Sequence, residues 1–316
     1  MKRFLLPAVF AAGAIAAIDA AGQQTTFRGG SDLVRVFVTV TDRDDRLVTT
    51  LTQDQFEVRD KGKPQPIALF DNSPQPIQLV VMLDVSGSMS GNLPLLRAAS
   101  AHLFQRLRPD DVARVGTFGR EVTISPDFTN DAEALVASLP SEIPDNAPTP
   151  LWRSLDEAMD AFDTASDRRR VVLVLSDGKN SPSFSFREPM VSQVDVIDRA
   201  RKDGVMVYAV GMRSRGMLRP RPAVGPGGLG AMLTEDLPDP GLARVALESG
   251  GGYLEIRPRD DLGAAFARVA EELHSQYLLG FLPPARDGKV HDIDVRVSVK
   301  DVKPRARKSY VAPRAN

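Results

Sequence analysis

Cysteine is absent from the chain, which removes disulfide staples, thiolate metal sites, a lipidated cysteine and a catalytic thiol together. A chain of 316 residues can do without such staples, because it has ample apolar sequence to bury a core in one or two domains. A charge excess is lacking too: 40 Lys and Arg stand against 41 Asp and Glu. That balance argues against a nucleic-acid-binding protein, which displays a basic surplus. The local basic runs, Arg213 to Arg221 and Lys303 to Lys308, read as a solvated loop and a strand edge rather than polyanion sites. Histidine is scarce and scattered: His102, His274 and His291 show no metal-ligand spacing and no carboxylate partner legible in sequence, so each reads as satisfied or exposed. The Gly-x-Ser-x-Gly elbow of serine hydrolases is also missing around Gly87, where Met89 occupies the serine position.

Long apolar runs occur only at the start. Lys2-Arg3, the almost wholly apolar Phe4 to Ile18 and the small residues Ala20-Ala21-Gly22 make the three parts of a secretory signal peptide over residues 1–22. Cleavage is expected after Ala20 or Gly22, giving a secreted or periplasmic protein, with retention as an anchor as the alternative. The apolar core is short for a bilayer span, and no later stretch is long enough to make one.

Three textures follow. Residues 30–74 alternate apolar and polar positions, with strands over Leu33 to Thr41, Phe56 to Arg59 and Ile67 to Phe70 and a turn at Lys61-Gly62-Lys63-Pro64. From Ile77 the pattern becomes buried strands alternating with helical periods, which predicts an α/β domain over residues 77–275 with a doubly wound, mostly parallel sheet. Within it, 212–240 is rich in Gly, Pro and Arg and reads as an insertion. Residues 276–313 are β again, with Tyr277 to Phe281, Ile293 to Val299 and Ser309 to Val311 as strands. Neither β segment has enough strands to bury a core alone, so 30–74 and 276–313 are expected to pair in one small antiparallel β domain built from both chain ends.

The stretch that organises the chain is Leu79-Val80-Val81-Met82-Leu83-Asp84-Val85-Ser86-Gly87-Ser88. Its continuous apolar run reads as a strand buried on both faces, and it stops at an Asp followed by hydroxyls at alternate positions. In open α/β sheets ligands bind just past the carboxyl ends of the strands, so Asp84, Ser86 and Ser88 are offered to one point. Oxygen-only side chains suit a hard cation such as Mg²⁺. A second buried strand, Val171 to Leu175, ends in Ser176-Asp177-Gly178.

Asp84-x-Ser86-x-Ser88 resembles the DxSxS signature of von Willebrand factor type A (VWA) domains, whose metal-ion-dependent adhesion site adds a Thr and a second Asp from later loops. The resemblance implies Thr149, in Ala147-Pro148-Thr149-Pro150-Leu151-Trp152, and Asp177 as those two, completing the metal set Asp84, Ser86, Ser88, Thr149 and Asp177. Pro148 and Pro150 depart from the small residues that usually flank the family's Thr. Trp152, one turn from Thr149, reads first as a core residue, with a contact at the ligand-binding rim as the alternative. With Leu51 to Val58, Gly62 to Ile67 and Gln276 to Phe281, the chain as a whole is similar to bacterial VWFA-related secreted proteins first grouped from Acidobacteria.

The resemblance implies a non-enzymatic function: capture of a protein partner's Asp or Glu by a bound Mg²⁺, or Mn²⁺ or Ca²⁺ in its place. The hydroxyls would touch the ion and the two carboxylates would act mostly through water, leaving the ion electrophilic. An envelope scaffold with a structural metal is the alternative. A metal-dependent hydrolase ranks below both, since aspartyl-phosphate enzymes resemble Asp-x-Asp and Ser86 stands at that second position.

Overall fold

The structure is a computed structural model that describes residues 33–144, 146–181, 190–213, 238–257 and 260–314. The expected signal segment 1–22 and nearly all of the expected insertion, 214–237, lie outside the described residues. In chain order the strands are β1 (Val34–Thr41), β2 (Phe56–Asp60), β3 (Lys63–Gln65), β4 (Leu69–Asp71), β5 (Ile77–Asp84), β6 (Val112–Phe118), β7 (Val122–Ile124), β8 (Arg169–Ser176), β9 (Met206–Met212), β10 (Tyr253–Ile256), β11 (Tyr277–Phe281), β12 (Val290–Val297), β13 (Lys303–Arg305) and β14 (Ser309–Val311). The described helices are α1 (Leu93–Phe104), α2 (Ala132–Ala137), α3 (Leu151–Asp160), α4 (Gln193–Asp203), α5 (Pro240–Ser249) and α6 (Leu262–His274).

The central sheet has the order β10-β9-β8-β5-β6-β7, parallel except for the edge strand β7. Every residue of β5 is buried because both faces of the sheet are covered. Leu79, Val81 and Leu83, with Leu173 and Val210 of neighbouring strands, pack under α1 and α6; Val80 and Met82, with Val172 and Val207, pack under α3, α4 and α5. An apolar run without alternation is therefore what this position in the sheet demands. Helices on both faces make the fold a doubly wound α/β sheet, and the strand order reverses between β5 and β8. A crevice opens at such a reversal, beyond the carboxyl ends of the two strands.

Two antiparallel sheets, β13-β1-β11-β4 and β14-β12-β2-β3, mix strands from both ends of the chain. Val34 pairs with Phe281 and Val38 with Tyr277; Val58 of β2 pairs with Val295 of β12. Their inner faces share a core of Val36, Val38, Val58, Leu279, Phe281 and Tyr310.

The differences from the sequence reading are local. The turn at Lys61-Gly62 is tighter than the four residues expected, with Lys61 and Gly62 both at positive φ, so β3 begins at Lys63. The strand expected over Ile67 to Phe70 runs over Leu69–Asp71, where β11 supplies its partners. The Lys303 to Lys308 run holds β13, which pairs with the end of β1. Among the described residues no helix is long and apolar enough to cross a membrane.

Candidate metal centre

Asp84 is the last residue of β5 and is fully buried. Both of its carboxylate oxygens are held: the Ser86 backbone N–H donates to Oδ1 at 2.8 Å, and the hydroxyl of Ser176, on the adjacent β8, donates to Oδ2. The chain then turns through a 3-10 segment, Gly87–Asn92, whose Met89 is buried in the core below and fastens the turn to it. This turn places Ser86 Oγ 3.1 Å from Ser88 Oγ, and Ser88 Oγ donates to Asp177 Oδ1 at 2.8 Å. Asp84, Ser86, Ser88 and Asp177 thus form one connected polar cluster at the reversal of strand order, although Asp177 lies 89 residues beyond Ser88.

Two glycines let the third loop approach. A Cβ on Gly87 would meet the Asn146 backbone N at 3.1 Å, and one on Gly178 would lie 3.2 Å from Thr149 Oγ1. Thr149 therefore sits against the residue that follows Asp177. Its backbone is locked there by reciprocal bonds with Ser181, Thr149 N to Ser181 O at 3.1 Å and Ser181 N to Thr149 O at 2.9 Å. Flanking prolines fit this extended segment, because neither can donate and neither is asked to.

Burial, opposed by bonds from Ser176 and Ser86, pushes the Asp84 carboxyl up to about 6, and the nearby charge of Asp177 adds to the rise. Burial also raises Asp177, against the hydrogen bond from Ser88. Two neighbouring carboxylates held out of water favour a counter-cation. The donors are oxygens only, hydroxyl and carboxylate, which is the chemistry of a hard divalent ion rather than a thiophilic one. Among the described residues no group of three or more His, Asp or Glu is placed to hold a metal, so any ion bound here would depend on the hydroxyls.

Trp152 is only 6% exposed and belongs to the core under α3, α4 and α5. Its ring runs so close to α5 that a Cβ on Gly241 would lie 2.7 Å from it. The amphipathic period of α3 turns this position inward, so Trp152 packs in the core, the first of its two sequence readings.

Other polar residues of the site were not legible. Ser176 stands within the Ser-Asp-Gly motif, but nothing in sequence says that its hydroxyl turns back to Asp84. Asn180 accepts from the Trp152 backbone N–H and donates its own backbone N–H to Asp239 across 59 residues. The only sequence signal is Asp239-Pro240, a helix-start signature that identifies a cap and not its second partner. Two of the three histidines have carboxylate partners: His274 meets Asp111 at 2.7 Å and His291 meets Asp60 at 3.0 Å, both far away in sequence, and His291 also meets Asp287, four residues before it, at 3.1 Å. Neither pair belongs to the Asp84 cluster.

Comparison with curated proteins gives no match. Among solved structures, the chain is similar to an aerotolerance-related membrane protein from Bacteroides fragilis at 16% identity, covering 62% of this chain and 98% of that one with a TM-score of 0.43. It is similar to BatB from Bacteroides thetaiotaomicron at 16% identity, covering 62% and 97% with a TM-score of 0.45. A third similarity is to proximal thread matrix protein 1 of the mussel byssus with a zinc-occupied MIDAS motif, at 17% identity, 66% and 48% coverage and a TM-score of 0.43. Residues 78–220 match the family model for the von Willebrand factor type A domain. That stretch contains the strand ending at Asp84, the Thr149 loop and the strand ending before Asp177, and on this match and the doubly wound sheet the chain carries a von Willebrand factor type A domain.

Proposed function

We propose that this is an exported, metal-dependent protein-binding module, in which a Mg²⁺-type ion held by Ser86, Ser88 and Thr149, with Asp84 and Asp177 acting through water, captures an Asp or Glu of a partner protein. The observation that carries the reading is the convergence of Asp84, Ser86, Ser88 and Asp177 from two adjacent strand ends into one hydrogen-bonded cluster, with the Thr149 hydroxyl against Gly178. Two carboxylates match the charge of a divalent ion, while hydroxyl donors add none. An ion so held would keep its affinity for a further hard anion, and a partner carboxylate supplies one. Export rests on the N-terminal sequence, Lys2-Arg3 followed by the apolar run to Ile18.

Calorimetric titration of Mn²⁺ into the wild type and Asp84→Ala tests the site. Affinity should fall at least tenfold in the variant. The fold should survive, because Leu79 to Leu83 stay buried on both faces. Equal affinity in the two proteins would remove the site. Pull-down from the cell envelope with Mg²⁺ or with chelator then tests capture: prey should appear only with the ion, and prey retained in chelator would reduce the ion to a structural role.

A further inference from the structure

The loop after Asp177 and the loop carrying Thr149 would both have to keep their places for the proposed ion, yet no side chain of α3 caps the helix that Thr149 precedes. Pro150 stands at the N-cap and offers no side-chain acceptor. The first N–H groups of a helix have no partner within it and need one from outside. Here Asn180, from the other loop, provides it: its Oδ1 accepts from Trp152 N at 3.3 Å. Asn180 is itself held, because its backbone N–H donates to Asp239 Oδ2 at 3.0 Å. Asp239 spends its other oxygen as the N-cap of α5, accepting from Gly241 N at 2.8 Å. The Trp152 ring then closes against Gly241, where no side chain fits.

These contacts run in a closed ring: α3, Asn180, Asp239, the start of α5, and back to α3 through Trp152. We infer that Asn180 and Asp239 are positioning residues of the metal centre, fixing the Thr149 loop against the Asp177 loop without touching the ion. The inference rests on the proposed metal site. It assigns that site a second layer drawn from a helix, α5, that contributes none of the five proposed metal residues. The reciprocal bonds of Thr149 with Ser181 fix the same two loops in one direction, and the Asn180 contact fixes them in another. Groups that orient the ligands of a metal ordinarily change its affinity by about 10- to 100-fold.

The test is Mn²⁺ binding to the full chain, read from the loss of the free-ion electron paramagnetic resonance signal, with unfolding of each protein followed in chelator. Asn180→Ala should weaken Mn²⁺ by about tenfold or more, whereas Asn180→Asp, which keeps the acceptor facing Trp152 N, should bind at least as well as wild type. Asp239→Asn preserves shape but replaces one acceptor with a donor; it should weaken Mn²⁺ and carries the test if Asn180→Ala does not fold. The control is Asp261→Ala, which removes a comparable cap, that of α6, through its bonds to Gly263 N and Ala264 N. It should lower the unfolding temperature and leave Mn²⁺ affinity unchanged. If wild type binds and both Asn180→Ala and Asp239→Asn bind equally well, or if Asp261→Ala loses as much affinity as they do, the positioning role is overturned while the metal site stands. A wild type that takes up no Mn²⁺ overturns the site and this inference together.

Discussion

Asp84 carries the sharpest conflict between stability and function in the molecule. Its carboxyl is pushed up to about 6 in the fold, above the ordinary unfolded value, chiefly by burial. A group raised in this way contributes favourably while protonated, at pH below its unfolded value, and that contribution is lost as pH rises from about 4 to about 6. Without a divalent ion, the protein should therefore be less stable at pH 7.5 than at pH 4.5 on account of this residue, by roughly 2 kcal/mol. Two outcomes follow in thermal melts. Saturating Mg²⁺ should raise the unfolding temperature more at pH 7.5 than at pH 4.5, and Asp84→Asn in chelator should melt above wild type at the higher pH. A melting temperature of Asp84→Asn equal to or below that of wild type in chelator at pH 7.5 would contradict the assignment. The sequence marked Asp84 plainly, because an Asp that ends a fully apolar run is conspicuous. It marked Trp152 less plainly: an aromatic one turn from Thr149 favours the core but still fits a rim until the rotation of α3 is known.

Among the elements, the β strands drawn from opposite chain ends are tied by a buried polar cluster. His291 of β12 is 1% exposed; its Nδ1 lies 3.0 Å from Asp60 Oδ1 of β2, its Nε2 3.1 Å from Asp287 Oδ1, and Tyr310 of β14 donates to Asp60 Oδ2 at 2.9 Å. Removing one member strands the others away from water, so Asp60→Ala should cost about 3 kcal/mol or more in urea denaturation. A loss under about 1 kcal/mol would show that the cluster relaxes to solvent. Backbone crowding sets a second limit at Gly251, between α5 and β10, where a Cβ would fall 1.9 Å from the Val207 carbonyl oxygen. Gly251→Ala should therefore shift β9 or β10 or fail to fold, visible as lost amide protection over Met206 to Met212. The apolar runs of β5, β8 and β9 and the period of α3 were legible because burial on one or two faces writes itself into the sequence. Short edge strands such as β3 and β7 were not, because three residues carry no period even where the partner is the strand just before in a hairpin; β13 was legible only as a strand edge, since its partner β1 lies far along the chain.

At the scale of the whole molecule, the central sheet and the flanking β layers are joined through a buried polar seam. Arg169, at the start of β8, bonds Gln276 and donates to the Leu273 carbonyl at 2.6 Å, while Gln276 donates to Thr39 Oγ1 of β1 at 2.7 Å. Gln276→Ala leaves a buried guanidinium short of a partner and should cost about 2 kcal/mol. The loss should appear as reduced cooperativity between the two layers when each is followed by hydrogen exchange, and uniform loss across the molecule would argue that they unfold as one. The pairing of the chain's two ends has a consequence for its birth. Strand β1 lies first among the described strands and β11 completes it only after the whole central sheet has been made. A nascent or prematurely cut chain can satisfy β5, β8 and β9 with their helices while Val34 to Val38 still lack the partners from Tyr277 to Phe281. Until those last strands arrive, β1 presents an open, apolar edge, the kind that pairs with a second copy. Tyr277 to Phe281 thus cover the edge that Val34 to Val38 would otherwise leave open to a second copy.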